Sequence, residues 1–285
     1  MTKKVGLVLE GGAMRGMFTA GVLDTFMDED IKIDCIMGVS AGALFGVNYY
    51  SKQKGRVIRY SKKYCKNPRY MGLLSLLFTG NIVNKNFAYY DVTNKLDVFN
   101  EAEYVKNNTG YYIVVTNMET GKAEYIELNS CVNNLEYLRA TSSMPLVSKN
   151  VKINDKLYLD GAIADSIPVQ KLKELGYDKI IVVLTRPIDY RKEPFHRSIL
   201  KYINRKYKKY PKFIEALENR YNMYNNTIKD IIKMEKNNKI FVIRPTTNIN
   251  VKHIEKNKNK LQEAYDLGIS CTKEKLSELK KYLKQ

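Results

Sequence analysis

Four cysteines among 285 residues, none paired as Cys-x-x-Cys, leave little scope for cross-links. Cys35, Cys65, Cys131 and Cys271 stand far apart, so reduced structural thiols are expected and no zinc site is indicated. No apolar run is long enough to span a bilayer. The first apolar segment, 5–9, follows Met-Thr-Lys-Lys directly. It is too short for the hydrophobic part of a signal peptide and has no small-residue cleavage site behind it, so a cytoplasmic protein is expected. Histidine is scarcer than cysteine: His196 and His253 are the only two. Both fall in the basic C-terminal part, away from the strand ends described below, which disfavours chemistry that needs an imidazole base. No helix-turn-helix, zinc or RNA-binding motif is recognisable, so nucleic acid is not an expected partner.

What is present is globular: 44% hydrophobic and 11% aromatic residues, enough for one large domain or a domain with an appendage. The net charge of +18 is unevenly spread. Residues 1–185 hold 23 Lys and Arg against 19 Asp and Glu, whereas 186–285 hold 25 against 11. The excess fits a Lys- and Asn-rich composition, and equally a region drawn to anionic lipid or another polyanion.

The apolar run 5–9 reads as a buried strand, broken by Gly11 and Gly12, with a helix over 15–28. A second strand over 35–37 leads to a glycine turn and a helix over 41–50. Strand, glycine turn and helix, twice in fifty residues, is the pattern of a parallel sheet with crossover helices. Residues 52–110 are hard to read. Within them 73–78 is strongly apolar and fits a core helix, or else a lid or acyl-chain wall. Hairpins are predicted over 111–127 and 151–159, helices over 133–141 and 168–175, and a buried strand over 179–184. After Pro187 the texture changes. A basic amphipathic helix near 197–209 fits either a docked surface helix or a membrane-surface helix. A long helix over 212–236, a strand over 239–244 and a helix over 260–283 follow. The domain boundaries expected are 1–186 and 187–285, the second part mostly helical with one strand.

Three elements carry chemistry. Gly38-Val39-Ser40-Ala41-Gly42 places a serine in a tight strand-to-helix turn, where its hydroxyl stands clear and helical N–H groups point at whatever it attacks. Ser40 also fits a helix cap. Gly11-Gly12-Ala13-Met14-Arg15-Gly16 fits an oxyanion loop or a phosphate loop. It lacks the second glycine of a dinucleotide fingerprint. Asp160-Gly161-Ala162 puts a carboxylate at a strand's end, where open α/β sheets carry their sites, and also fits a plain turn. With no histidine near these elements, a serine–aspartate dyad is the better reading than a triad, Asp160 taking the serine proton.

Gly-Gly-x-x-Arg-Gly, Gly-x-Ser-x-Gly and a late Asp-Gly-Ala, in this order, resemble the patatin-like phospholipases over residues 5 to about 185. Thr141-Ser142-Ser143-Met144-Pro145 resembles the segment that precedes Asp-Gly in that family. The resemblance implies a three-layer α/β/α sandwich with a mostly parallel central sheet. It also implies hydrolysis of lipid acyl esters without metal or cofactor. By position it makes Ser40 the nucleophile and Asp160 the base. Gly11, Gly12, Ala13 and Arg15 lie on the oxyanion loop, with Gly38, Ala41 and Gly42 around the nucleophile and Gly16, Gly161 and Ala162 completing the motifs. Ala13 departs from the third glycine of many members. The last 90 or so residues resemble the extra region of a bacterial branch. The expected partners are a lipid or acyl-ester substrate and an anionic membrane surface met by 197–212. An acyltransferase with the same dyad and a non-catalytic membrane-binding module are the alternatives.

Overall fold

The computed structural model describes residues 3–285. The first half holds β1 (Val5–Leu9), α1 (Met17–Asp28), β2 (Cys35–Val39), α2 (Ala41–Tyr50), α3 (Arg56–Tyr64), α4 (Leu73–Thr79) and α5 (Glu101–Asn107). Between α4 and α5 lies a wide-wound π-helical segment, Lys85–Leu96. Then come β3 (Tyr111–Asn117), β4 (Ala123–Glu127), α6 (Leu135–Thr141), β5 (Val151–Ile153), β6 (Lys156–Asp160), α7 (Val169–Glu174) and β7 (Lys179–Val183). The last part is α8 (Arg197–Lys206), α9 (Pro211–Lys236), β8 (Phe241–Ile243), α10 (Lys258–Glu274) and α11 (Leu276–Lys284). Where one C-terminal helix was expected there are two, broken at Lys275.

All eight strands join one sheet, ordered β5-β6-β3-β2-β1-β7-β8, with β4 also on β3. β3, β2, β1, β7 and β8 run parallel; β4 and β6 run against β3, and β5 against β6. Side chains alternate between two cores, as a pleated strand requires. Leu7, Ile36, Ile113 and Ile181 face one way, onto α1, α2, α6 and α10. Val8, Met37, Val114 and Val182 face the other, onto α7 and α9. The result is a three-layer α/β/α sandwich. The C-terminal region takes part in every layer, because β8 extends the sheet and α9 and α10 cover opposite faces. The α1–α10 crossing is backbone against backbone: a Cβ added to Gly21 would stand 2.1 Å from the Tyr265 carbonyl oxygen, and one on Gly268 2.1 Å from that of Phe18.

One detail of the sheet positions the site. β3 has two edges, and β4 takes one of them over Tyr112–Thr116. On the other, β2 runs alongside as far as Val39 opposite Val114, and β6 arrives from the opposite direction to end with Asp160 opposite Val115. The two strands therefore meet tip to tip on a single edge.

The segment 73–78 is not a core helix. In α4, Leu73, Leu77 and Phe78 are 79%, 76% and 81% exposed, and the helix is held through Ser75 and its flanks. Among the described residues, no helix is long and apolar enough to cross a membrane.

Candidate active site

Ser40 is the residue after β2 and sits at φ +53°, in the left-handed region that side chains rarely adopt. The surroundings hold it there. Its N–H donates to Thr141 Oγ1 (3.0 Å), and that hydroxyl donates in turn to the Val114 carbonyl (2.5 Å). Such strain at a strand-to-helix turn persists where neighbours over-determine it. The Ser40 side chain does not cap α2. Its hydroxyl donates instead to Asp160 Oδ2 at 2.8 Å.

Asp160 is fixed on every side. Oδ1 accepts from the Ala162 N–H (2.9 Å), its own N–H donates to the Ser143 carbonyl (2.9 Å), and its carbonyl accepts from the Thr116 hydroxyl (2.9 Å). It is thus both the turn aspartate and the partner of Ser40. Burial holds its carboxyl above the usual carboxylate range, against the pull of the Ala162 N–H, Arg220, the Ser40 hydroxyl and Lys192.

The glycine-rich loop lies beside this pair. Gly11 backs directly onto Ser40, since a Cβ there would stand 2.9 Å from that of Ser40. Ala13 is left-handed at φ +48°, which is why glycine suits the position. Among the described residues, no acceptor meets the N–H groups of Gly12, Ala13 or Ala41. Arg15 is buried, 9% exposed, and Gly16 after it packs on the Phe45 ring. Gly38 and Gly42 bring α2 against β2 and the end of β1: a Cβ on Gly42 would stand 2.5 Å from the Leu9 carbonyl oxygen. Gly161 abuts the Val114 carbonyl, with Ala162 next along the turn.

Two cavities open on Ser40. The smaller, about 120 Å³, is walled by apolar groups such as Met14, Phe45, Tyr70, Val92, Leu135 and Leu138. The larger, about 520 Å³, is lined by the glycine loop, Asp160, Arg15, Arg186, Lys192 and Arg220. His253 borders both. Its expected distance from the strand ends is therefore corrected: the chain after β8 returns to the mouth of the site. The ring remains exposed and makes no hydrogen bond with Ser40 among the described residues. His196 is remote, bonded to Ser198 at the start of α8. No three His, Cys, Asp or Glu side chains among the described residues gather as a metal site would.

Several contributors escaped the sequence reading. Arg186 and Lys192 leave β7 in an irregular loop with no periodicity to betray them. Arg220 was legible in principle. It falls on the stripe Phe213, Leu217, Tyr224, Ile228 and Ile231 that buries α9, and a cation on a buried stripe needs a reason. Tyr224 reaches back to donate to Glu10 Oε1 (2.8 Å), just before the glycine loop, while the Thr185 N–H takes Oε2 (2.6 Å).

Comparison with known proteins matches two segments of the chain. The patatin-like phospholipase family model matches residues 7–173, and a domain of unknown function, DUF6363, matches 210–284. The chain is 28% identical to the uncharacterized protein YjjU of Escherichia coli over 188 residues, 65% of this chain and 52% of YjjU. It is 28% identical to lysophospholipase nte1 of Aspergillus niger over 189 residues, 66% of this chain and 12% of that protein. The chain thus spans about half of the first relative and a small part of the second. A solved structure, VipD from Legionella pneumophila, aligns over 96% of this chain and 67% of its own, at 11% identity and a TM-score of 0.40, too loose a likeness to argue from. The phospholipase match is of a different weight: it spans more than half of the chain and contains both the Ser40 turn and the strand that ends in Asp160, so the chain belongs to the patatin-like phospholipase family.

Proposed function

We propose that the protein is a serine hydrolase of lipid acyl esters, working through a Ser40–Asp160 dyad. The observation that carries this reading is the 2.8 Å hydrogen bond from Ser40 Oγ to a buried carboxylate, at a strained turn and with no imidazole between them. Ser40 Oγ attacks the ester carbonyl carbon as its proton passes to Asp160. The carbonyl oxygen becomes an oxyanion, received by the free N–H groups of Gly12 and Ala13, with Ala41 at the start of α2. Collapse breaks the ester C–O bond. The departing alkoxide takes the proton from Asp160 and leaves the acyl group on Ser40. Water then attacks the acyl carbon, giving its proton to Asp160, and the second collapse returns that proton to Ser40 as the fatty acid leaves. A carboxyl held above its usual range is a stronger base than an ordinary aspartate, which favours both proton transfers.

The two cavities support an ester with unlike sides, the acyl chain in the apolar one and the alcohol part in the polar one. Contact with a lipid surface is supported by what surrounds the opening. The turn at 146–149 holds the segment after α4 on one side, through the Ile82 N–H to the Val147 carbonyl (2.8 Å). On the other it holds α8, through the Leu146 N–H to the Tyr207 hydroxyl (3.0 Å). Exposed leucines and a basic helix thus flank one opening, as a peripheral lipid-binding face requires.

The test is intact mass after exposure to a fluorophosphonate probe. A single adduct is expected on the wild type and the His253→Ala protein, and none on Ser40→Ala. An adduct that survives Ser40→Ala, or is lost in His253→Ala, would overturn the dyad. Sedimentation with liposomes should rise with anionic lipid content and fall when Leu77 and Phe78 become Asp; binding indifferent to both removes the lipid-surface reading.

A further inference from the structure

The larger cavity carries more positive charge than the chemistry uses. Arg15, Arg186, Lys192 and Arg220 line it, and none of them joins an ion pair among the described residues. Among the described residues its only carboxylates are Glu10 and Asp160, and both are already engaged. Glu10 takes Tyr224 on one oxygen and Thr185 on the other; Asp160 takes Ser40 on one and the Ala162 N–H on the other. Arg15 is buried with its Nε lacking any hydrogen-bond partner among the described residues. An unpaired buried donor on a guanidinium is costly and is normally met by a ligand, an ion or water. The crowding also registers on Lys192. Burial first, and then Arg220, push its ammonium down to about 8, with Arg15 and Arg186 adding to the effect and Glu10 opposing it.

The cavity also excludes something. Tyr190 and Tyr224 present aromatic faces there, the usual means of holding a quaternary ammonium. Both faces are already covered, Tyr190 by the Arg186 guanidinium at 4.3 Å and Tyr224 by the Lys192 ammonium at 4.6 Å. A choline or ethanolamine group would find cations where it needs π-faces or carboxylates. A phosphate would find guanidinium donors suited to its oxygens. The volume of about 520 Å³ is within the range of small-ligand sites and exceeds what the serine chemistry needs.

We propose that this cavity is the subsite for the phosphate of an amine-free, anionic lipid head group, and that Arg186, Lys192 and Arg220, all outside the matched phospholipase segment, set this preference. The assignment rests on the ester-hydrolase reading above for the position of the head group relative to Ser40. Residues after β7 thereby contribute selectivity to a site whose nucleophile and base lie before it.

The test uses ether-linked lysolipids, which the dyad cannot cleave, with matched alkyl chains and below their micelle concentrations. Calorimetry compares the alkyl glycerophosphate, its choline ester and inorganic phosphate on the full chain. The wild type should bind the alkyl glycerophosphate at least about tenfold tighter than the choline ester. The Lys192→Gln and Arg186→Gln double variant should bring the two within about threefold. Should the double variant not fold, Lys192→Gln alone, which removes a partly buried charge, should still reduce the preference. Equal binding in the wild type, or a preference that survives the substitutions, overturns the proposal. Inorganic phosphate binding as tightly as the lysolipid reassigns the cavity to a free anion and overturns the head-group role. Fluorophosphonate labelling separates this inference from the catalytic one: labelling without head-group preference sinks the subsite alone, and preference without labelling sinks the dyad alone.

Discussion

The two walls of the site are built by opposite means. The wall that holds Ser40 and Asp160 is made of backbone: strand tips, a left-handed turn, and glycines at which a Cβ would strike a carbonyl oxygen. The wall that holds Arg186, Lys192 and Arg220 is made of long side chains reaching in from a loop and a helix, with few fixed bonds. The first wall can hold reacting atoms to fractions of an ångström. The second can only surround a charge. On the proposed function, bond-making falls where the main chain dictates position, and recognition where side chains can adjust to a ligand.

The sharpest way to break this contrast is at Asp160. Asp160→Asn should lower kcat by about 10²–10⁴-fold, as loss of a general base does, while raising the melting temperature at neutral pH. The sign follows from burial. The folded pKa lies above the unfolded value near 3.9, so the carboxyl's cost to the fold builds as pH rises past the unfolded value and is complete above the folded one. The stabilisation should therefore shrink on acidification, and wild-type activity should rise with pH through a midpoint above the ordinary carboxylate range. Activity retained in the Asn variant would remove the first wall's role. Next in size is Gly42→Ala. Alanine normally favours a helix, yet the added methyl would meet the Leu9 and Glu10 carbonyl oxygens at 2.5 and 2.8 Å. A loss of about 1–3 kcal/mol is expected by chemical denaturation; a gain would show that the strand–helix contact is slack.

Smaller effects probe the second wall and its seam with the first. Tyr224→Phe removes one donor to Glu10 and should lose about 1 kcal/mol in urea melts, with Thr185 still holding the other oxygen. Binding of the amine-free glycerophosphate should weaken as pH rises past about 8, where Lys192 gives up its proton, whereas the choline ester should show no such fall. A flat profile for both would leave Lys192 outside the subsite. Smallest is Ala13→Gly, which relieves a left-handed alanine but frees the unfolded chain; a shift of under about 1 kcal/mol, toward stability, is expected by thermal melting.

The same contrast explains what could be read from the sequence. The Ser40 turn and the Asp160 strand end were legible because glycine spacing and strand boundaries are local properties. The fold class followed from two strand–turn–helix units. Thr141 was visible only as part of a motif, since its bond to the Ser40 N–H joins residues 101 positions apart. Residues 52–110 resisted because they fold as short helices and a π-helical segment, too brief or too irregular for a clear period. Arg56, 4% exposed, lies among Tyr60, Phe99, Asn48 and Asp97, contacts that join distant parts of the chain and leave no local signal. The leucines of α4 fitted either a core helix or a lid from sequence, and in the fold they face outward. Basic residues after Pro187 were read as a surface property, and two of them, Lys192 and Arg220, line the cavity beside Ser40.

The meeting of β2 and β6 on one edge of β3 makes that strand a ruler for the active site. The proposed nucleophile and base are 120 residues apart in the chain, and their spacing is set by two adjacent rungs, Val114 and Val115. A slip of β6 by a single residue would carry Asp160 about 3.3 Å along the edge and turn its side chain to the opposite face. One residue inserted into the Asn154–Asp155 turn leaves β6 in place, whereas one inserted in β3 between Val114 and Val115 parts the dyad. The competent serine also comes into being only once both strands have docked, an ordering that long-range pairings make slow. During refolding, labelling of Ser40 should therefore trail the return of helical signal, and labelling in step with that signal would show that the dyad forms before the sheet is complete.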